Sequence, residues 1–346
     1  MTINAGNRTP FDAPLIGANS IKCIITALLW SVIIQATHAQ TIDNLRMSVD
    51  ISTRLNRDIT ADNTSRVYAL GLDSHKIFSN KNGDIGYGVG QLYFTKLSDQ
   101  MPYSFLFDSP NDQKFVIREA HLNYTAGPAW MPNIRVGHFT LPFGLEHSLD
   151  TNGRLLDYYH GKNLGTKLDW GIGVNKVTEA VEYSLSYMLG GKDDPKVTDS
   201  SYIYTGRFGS LSYRDAVVGF SFFNANFDNI KRRRYAVDVQ YYWHTFGVLT
   251  ELAIGHKRHT NSLWKRHQYT LIELNKTSTD GQLKIYAQYT LNNEEGAPKN
   301  IQVINAGLSY QFSNSFELSV AIRRQVNSPA NTLKQQLVRV QIRYRY

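Results

Sequence analysis

The sequence predicts an all-β fold, a transmembrane antiparallel β-barrel of about 16 strands that follows an N-terminal signal peptide. Three observations lead to this prediction. A short apolar run near the N-terminus precedes a cleavage pattern, polar and apolar residues then alternate with a period of two, and the segments between the alternating runs are short and long in turn. An even number of strands is usual in single-chain bacterial barrels.

The N-terminus has the features of an export signal. Basic residues precede the mostly apolar run Cys23–Ile34, and Thr37-His38-Ala39 follows as a small-x-small cleavage pattern. The apolar run is too short to cross a bilayer as a helix. We therefore expect a signal peptide over residues 1–39 and a single barrel domain over residues 40–346. A membrane anchor or a buried strand is the alternative interpretation of the run.

The composition excludes several classes of protein. The only cysteine, Cys23, lies in the predicted signal peptide, so the predicted mature chain forms neither a disulfide nor a covalent haem attachment. No basic tail or nucleic-acid motif stands out despite a net charge of +8, so we expect no nucleic-acid partner. His256, His259 and His267 match no metal-ligand spacing, and we expect no metal and no cofactor.

The alternation of polar and apolar residues indicates strands with one face suited to lipid and the other to water. The apolar positions of three such segments are Leu283, Ile285, Ala287, Tyr289 and Leu291; Phe316, Leu318, Val320 and Ile322; and Tyr235, Val237, Val239, Tyr241 and Trp243. Marking every such run gives about 16 strands of membrane-crossing length. A soluble β-sandwich or propeller is the alternative, but no repeat of propeller length is visible.

The last segment adds a separate signal. Val340 and Ile342 alternate with Arg339 and Arg343, and the sequence ends on the aromatic residue Tyr346. An arginine facing lipid near the middle of the membrane costs about 2 to 4 kcal/mol. We therefore expect the arginine face of this strand to line water.

The connecting segments alternate in length, as periplasmic turns and extracellular loops do in membrane barrels. The expected long, polar connections are Asp58–Asn63, Ser98–Gln113, Gly144–Thr166, Gly190–Ser200, Asp228–Arg233, Lys257–Leu263, Asn292–Lys299 and Asn327–Leu333. The basic run Lys231–Arg234 lies at the loop end of a predicted strand. Lipopolysaccharide phosphates are its candidate counter-ions, and a solvated rim is the alternative.

The third long connection, Gly144–Thr166, is the candidate constriction because a barrel of about 16 strands is too wide for its side chains to fill. Its candidate residues are Glu146, Asp150, Arg154 and Asp157. Acids on this loop opposite basic wall residues would set a transverse field that sorts solutes. The expected wall residues are Asp238, Glu251, Lys284, Arg323, Arg339 and Arg343. Alternatively, the loop lies over the mouth and its charges are solvated.

Two motifs in the middle of the chain carry a family resemblance. Ile117–Leu122 reads IREAHL, and Ile134–Glu146 reads IRVGHFTLPFGLE. Together, within the stretch Phe115–Glu146, they resemble the phosphate-selective porin O and P family. The resemblance implies a sixteen-stranded, trimeric porin. No run of lumenal lysines and arginines like that family's phosphate ladder is visible, so the resemblance implies the architecture and not phosphate selectivity.

These observations favour a water-filled channel for passive diffusion of small hydrophilic solutes across the bacterial outer membrane, in contact with lipid and lipopolysaccharide. The basic wall residues favour anions, although Asp238 and Glu251 on the same faces oppose that preference. One alternative is a sleeve or scaffold that encloses or presents a periplasmic or surface partner. A second alternative, an enzymatic barrel, lacks any recognisable nucleophile and base motif, and we expect no enzyme.

Overall fold

The computed structural model describes residues 44–98, 113–149, 154–158, 163–195, 200–259, 262–297, 300–327 and 334–346. The chain divides into two compact units, residues 1–45 and 46–346, and only Asn44 and Leu45 of the first unit are described. The expected signal peptide, residues 1–39, lies outside the described residues. No helix in the described ranges is long and apolar enough to span a membrane.

Sixteen strands account for most of the described residues. They are β1 (Leu45–Asp58), β2 (Asn63–Asn80), β3 (Gly83–Ser98), β4 (Gln113–Tyr124), β5 (Asn133–Thr140), β6 (Leu168–Val177), β7 (Val181–Met188), β8 (Tyr202–Ser210), β9 (Ala216–Phe227), β10 (Ile230–Trp243), β11 (Phe246–His259), β12 (Lys265–Thr277), β13 (Leu283–Glu294), β14 (Ile301–Ser313), β15 (Phe316–Asn327) and β16 (Gln336–Arg345). Each strand pairs antiparallel with its sequence neighbours, and the sheet closes into a barrel. The expected fold class is confirmed.

The first and last strands close the barrel. In the β1–β16 ladder Asp50 lies opposite Arg345 and Asp58 opposite Leu337. The backbone N–H of Val49 donates to the carbonyl of Tyr346 at 2.8 Å. Both described ends of the barrel chain therefore lie at one rim of the barrel. The connections that follow even-numbered strands lie at that same rim.

Side-chain burial alternates along the strands as the sequence predicts. On β10, Tyr235 and Val237 are 54% and 48% exposed, whereas Ala236 and Asp238, which alternate with them, are buried. Strands β13, β15 and β16 show the same alternation. The exposed face is apolar and the buried face polar, the reverse of a water-soluble protein.

One expected long connection, Asp228–Arg233, is wrong. β9 ends at Phe227 and β10 begins at Ile230, so Asp228 and Asn229 alone form the turn, with φ of 52° and 58°. Positive φ at both central positions defines a type I′ hairpin, which Asp and Asn tolerate. The basic run Lys231–Arg234 therefore belongs to β10. The connection between β1 and β2 spans residues 59–62, within the expected range Asp58–Asn63.

Candidate functional site on the inner wall

The connection between β5 and β6 comprises residues 141–167, of which the structure describes 141–149, 154–158 and 163–167. These described parts turn into the barrel, and we call them the inward loop. Leu141, Phe143 and Leu145 are each 0% exposed. They belong to a buried apolar cluster with wall residues, and Phe143 meets the ring of Phe223 on β9 edge-on at 6.2 Å between centroids. This burial of apolar side chains fixes the first part of the loop against the wall of β7–β12.

Backbone groups of the inward loop also bind that wall. The Gly144 N–H donates to Ser221 Oγ on β9 at 2.9 Å, and the Leu145 N–H donates to Glu251 Oε2 on β11 at 2.9 Å. In the barrel β5 pairs only with β4 and β6. The loop therefore crosses the interior to reach β9 and β11.

Gly144 permits this approach for two reasons. Its φ of 54° and ψ of −156° lie in a region that only glycine populates readily. A Cβ at this position would lie 2.6 Å from the carboxyl carbon of Glu251 and closer still to Oε2. The glycine of the PFGLE motif is therefore required by the backbone conformation and by the close approach of the wall.

The middle of the loop, residues 154–158, binds the wall of β12–β16. The carbonyl of Leu155 accepts from Tyr286 Oη at 3.1 Å, Asn305 Nδ2 at 3.0 Å and Arg339 Nη2 at 2.9 Å. The Asp157 N–H donates to Gln288 Oε1 at 2.8 Å. Polar wall side chains thus satisfy loop backbone groups that have no strand partner.

Tyr158 adds a further contact, because its hydroxyl donates to Glu273 Oε2 on β12 at 2.7 Å. Burial and the Glu273 carboxylate raise the pKa of the Tyr158 hydroxyl well above its ordinary value. The hydroxyl therefore stays protonated and remains a donor over the physiological pH range.

Asp157 carries the main ionic contact between loop and wall. Its carboxylate lies 2.6 Å from Arg323 Nε on β15 and 3.3 Å from Arg339 Nη1 on β16. All three side chains are almost fully buried, at 4%, 4% and 0% exposed for Asp157, Arg323 and Arg339. Charge-assisted hydrogen bonds of this kind are strong, and their loss is costly when the partners are buried.

Beside this triad, β1 and β16 carry a second charged group. Arg343 pairs with Asp50 at 2.5 Å. Arg54, 1% exposed, donates to Gln341 Oε1 at 2.9 Å and to the carbonyl of Arg154 at 3.4 Å. A buried guanidinium of β1 thus also binds the inward loop, next to the β16 side chains.

The remaining expected site residues lie on the inner side in separate places. Glu146 pairs with Lys167 at 2.5 Å, Asp238 pairs with Arg207 at 2.7 Å, and Lys284 Nζ lies 3.8 Å from Glu273. Asp150 lies outside the described residues. Among the expected acids, Glu146, Asp157 and Asp238 thus contact basic side chains directly, and this pairing leaves less separated charge for the transverse field expected from the sequence.

Two cavities lie beside the inward loop. One, of about 250 Å³, is lined by Arg154 and Tyr158 of the loop and by Glu273 and Lys284 of the wall, among others. A second, of about 230 Å³, is lined by wall residues that include Arg135, Lys176, Glu182 and Arg207 and by His147 and Ser148 of the loop. In both cavities cationic side chains outnumber carboxylates.

The sequence interpretation missed Arg54, Asp50, Arg135 and Arg207. The alternation of β1, where Asp50, Ser52 and Arg54 share one face, was a usable signal for the first two. The hydrogen-bond and ion-pair partners of these residues could not be predicted from the sequence. Arg54 binds Gln341 across 287 positions of sequence, and only the register of barrel closure brings them together.

The described ranges hold no group of three or more His, Cys, Asp or Glu side chains that could bind a metal ion. His256 and His267 lie on opposite faces of the sheet. His256 shares the exposed face of β11 with Ile254, whereas His267 is 3% exposed and opposite Gly255 on the inner face.

Comparisons with known proteins give the fold. No protein-family model and no curated protein sequence matches the chain. Several solved structures match the chain. An anion-selective porin from Comamonas acidovorans matches with a TM-score of 0.65 at 12% identity, over 87% of this chain and 99% of that one. Salmonella typhi OmpF, in complex with daunomycin, matches with a TM-score of 0.63 at 12% identity, over 87% and 97%.

A third match is OmpT, an outer membrane protein of Vibrio cholerae, in its trimer form. Its TM-score is 0.63 at 12% identity, over 87% of this chain and 99% of that one. Identities this low establish the architecture alone. The sixteen antiparallel strands, the inverted burial pattern and these matches together lead to one conclusion: the chain has the fold of the bacterial outer-membrane porins.

Proposed function

We propose that the chain is an outer-membrane porin, a water-filled channel for passive diffusion of small hydrophilic solutes. The observation that carries this proposal is a sixteen-stranded barrel whose inner face is lined with charged and polar side chains. A barrel of that strand number is too wide for its wall side chains to fill and leaves an aqueous passage unless a loop narrows it. The inward loop is the part that narrows it.

We also propose the homotrimer implied by the resemblance of Phe115–Glu146 to the phosphate-selective porins, with the trimer form of the Vibrio cholerae protein as support.

The test of the channel itself is single-channel recording. Folded protein in a planar bilayer is expected to give steady, open conductance steps. Silence from folded barrels across a wide voltage range would contradict the proposal, and chemical crosslinking in detergent measures the oligomer separately.

A preference for anions is the finer part of the proposal. Arg135 and Arg154 line the two cavities, and neither side chain lies within ion-pair distance of a described carboxylate. Arg135 instead lies over the ring of Phe139, 5.3 Å from its centroid. Both guanidiniums therefore keep their charge available to a passing anion.

The double variant Arg135→Gln, Arg154→Gln is expected to lower the anion-to-cation permeability ratio by roughly twofold per charge removed. A unit charge about 10 Å from an ion in water changes its energy by about 0.4 kcal/mol, which corresponds to about twofold in local concentration. The reversal potential in a salt gradient measures this ratio. Arg57→Gln is the control, because Arg57 is an exposed residue that pairs with Asp62. An unchanged potential in the double variant would refute the assignment of these residues.

A further inference from the structure

A cluster of basic side chains lies on the outer surface of the barrel at the end of β10–β12. We call it the basic rim patch, and it consists of Lys231, Arg233, His256, Arg258, Arg266 and the indole of Trp264. None of these residues lines the interior. The inner-wall channel described above does not use them.

The orientation of the patch follows from strand alternation. Lys231 and Arg233 share the exposed face of β10 with Tyr235 and Val237, whereas Arg234 is 1% exposed on the inner face. On β11, His256 and Arg258 continue the exposed apolar row of Ile254. The patch therefore lies directly above the apolar outer belt, on the same surface.

The depth of the patch is that of lipid headgroups. Arg233 precedes the belt residue Tyr235 by two positions and lies about 7 Å nearer the rim along the strand. The patch lies beside the β9–β10 turn, which follows an odd-numbered strand. It is therefore at the rim opposite the one where β1 begins and Tyr346 lies. Trp264 is an aromatic residue of the type that lies at membrane interfaces.

The charges of the patch are brought together without carboxylates. In the ladders Lys231 lies opposite Arg258, Arg233 opposite His256 and His256 opposite Arg266. Like charges directly opposite on a sheet destabilise it. The Arg233 and Arg258 guanidinium carbons also lie 5.3 and 5.0 Å from the centroid of the same Trp264 ring.

Among the described residues, no carboxylate lies within ion-pair distance of the Lys231, Arg233, Arg258 or Arg266 side chain. Glu295 is nearby, but it accepts from the backbone N–H of Arg266 at 2.8 Å. The neighbouring cation Lys257 differs from the patch residues because it forms an ion pair with Glu294, on the inner side of the barrel. The patch thus concentrates positive charge that an external anion would compensate.

We propose that the basic rim patch binds the phosphate groups of lipopolysaccharide in the outer leaflet. The inference rests on the outer-membrane location in the proposed function. Guanidinium groups bind phosphate oxygens in a bidentate manner, and a lipid-anchored phosphate is held at the depth where the patch lies. The apolar belt beneath the patch would contact the acyl chains of the same molecule.

The test uses full-length folded protein in detergent, titrated by calorimetry with purified lipopolysaccharide in buffer free of divalent cations. Two variants are compared: Arg233→Gln, Arg258→Gln in the patch, and the control Arg57→Gln, Lys276→Gln. The control removes two cations from other exposed positions of the outer surface. We expect saturable binding by the unaltered and control proteins and a loss of about tenfold or more in affinity for the patch variant.

Further titrations separate the sources of phosphate. Dephosphorylated lipopolysaccharide is expected to bind the unaltered protein as weakly as the patch variant binds the intact lipid. Inorganic phosphate at millimolar concentration is expected not to displace the lipid. Equal affinity of the patch variant and the control for intact lipid would overturn the proposal, and so would efficient displacement by inorganic phosphate.

Single-channel conductance of the same proteins keeps the two proposals apart. Because the patch lies outside the lumen, we expect the patch variant to conduct like the unaltered protein. Lipid binding that fails while conductance persists would reject the patch alone. Absent conductance in the unaltered protein would reject the channel function instead.

Discussion

Replacement of Asp157 by asparagine is expected to lower the free energy of unfolding by about 3 kcal/mol and to make the channel current unsteady. The change removes the carboxylate that lies 2.6 Å from Arg323 and 3.3 Å from Arg339. Breaking a buried ion pair on one side costs about 3 to 5 kcal/mol, because a charge remains buried without its partner. Arg54, also buried, adds positive charge nearby.

Urea titration of the barrel in lipid vesicles measures the stability, and single-channel recording measures the current. Asp215→Asn is the matched control, since Asp215 is an exposed turn residue. Adding Arg323→Gln to Asp157→Asn removes one of the two cations and is expected to restore part of the stability. A stability loss in Asp157→Asn no larger than in the control would show that the ionic contact does not hold the loop.

Replacement of Gly144 by alanine is expected to displace the first part of the inward loop and to change the conductance. The added Cβ would overlap the Glu251 carboxylate, and the backbone conformation of Gly144 costs a residue with a side chain about 1 to 3 kcal/mol. The N–H contacts to Ser221 and Glu251 would weaken with it. With the loop displaced, the passage widens and the conductance rises.

Gly281→Ala is the control that isolates the contact with the wall. Gly281 also has a positive φ, of 75°, but nothing lies within 4 Å of a Cβ built on it. Both variants carry backbone strain, and only Gly144→Ala meets the carboxylate. Equal conductance and equal stability in the two variants would mean that the close approach to Glu251 does not position the loop.

The sequence was sufficient to predict the strands because each membrane-crossing strand shows a local signal, the two-residue alternation of apolar and polar side chains. Tyr235, Val237 and Val239 on one face of β10 and Asp238 and Gln240 on the other lie as their alternation predicts. The connections were less readable. Asp228 and Asn229 stand in a polar stretch, and only their left-handed backbone reveals a two-residue turn.

Which carboxylate pairs with which arginine could not be predicted from the sequence, for a different reason. Alternation places Arg339 and Arg343 on the inner face, but it does not say that Asp157 pairs with the first and Asp50 with the second. Those pairings depend on the register between distant strands and on where the inward loop crosses. Both are properties of the closed barrel, and neither has a local signature.

The closure of β1 on β16 makes the completeness of the chain a condition for its assembly. β1 pairs with β16, and Arg343 of β16 donates to Asp50 of β1 across 293 positions of sequence. A truncated chain that lacks β16 would present two unpaired strand edges, and each unsatisfied backbone group in lipid costs several kcal/mol. A chain that ends before β16 is therefore expected not to form a stable barrel in the membrane.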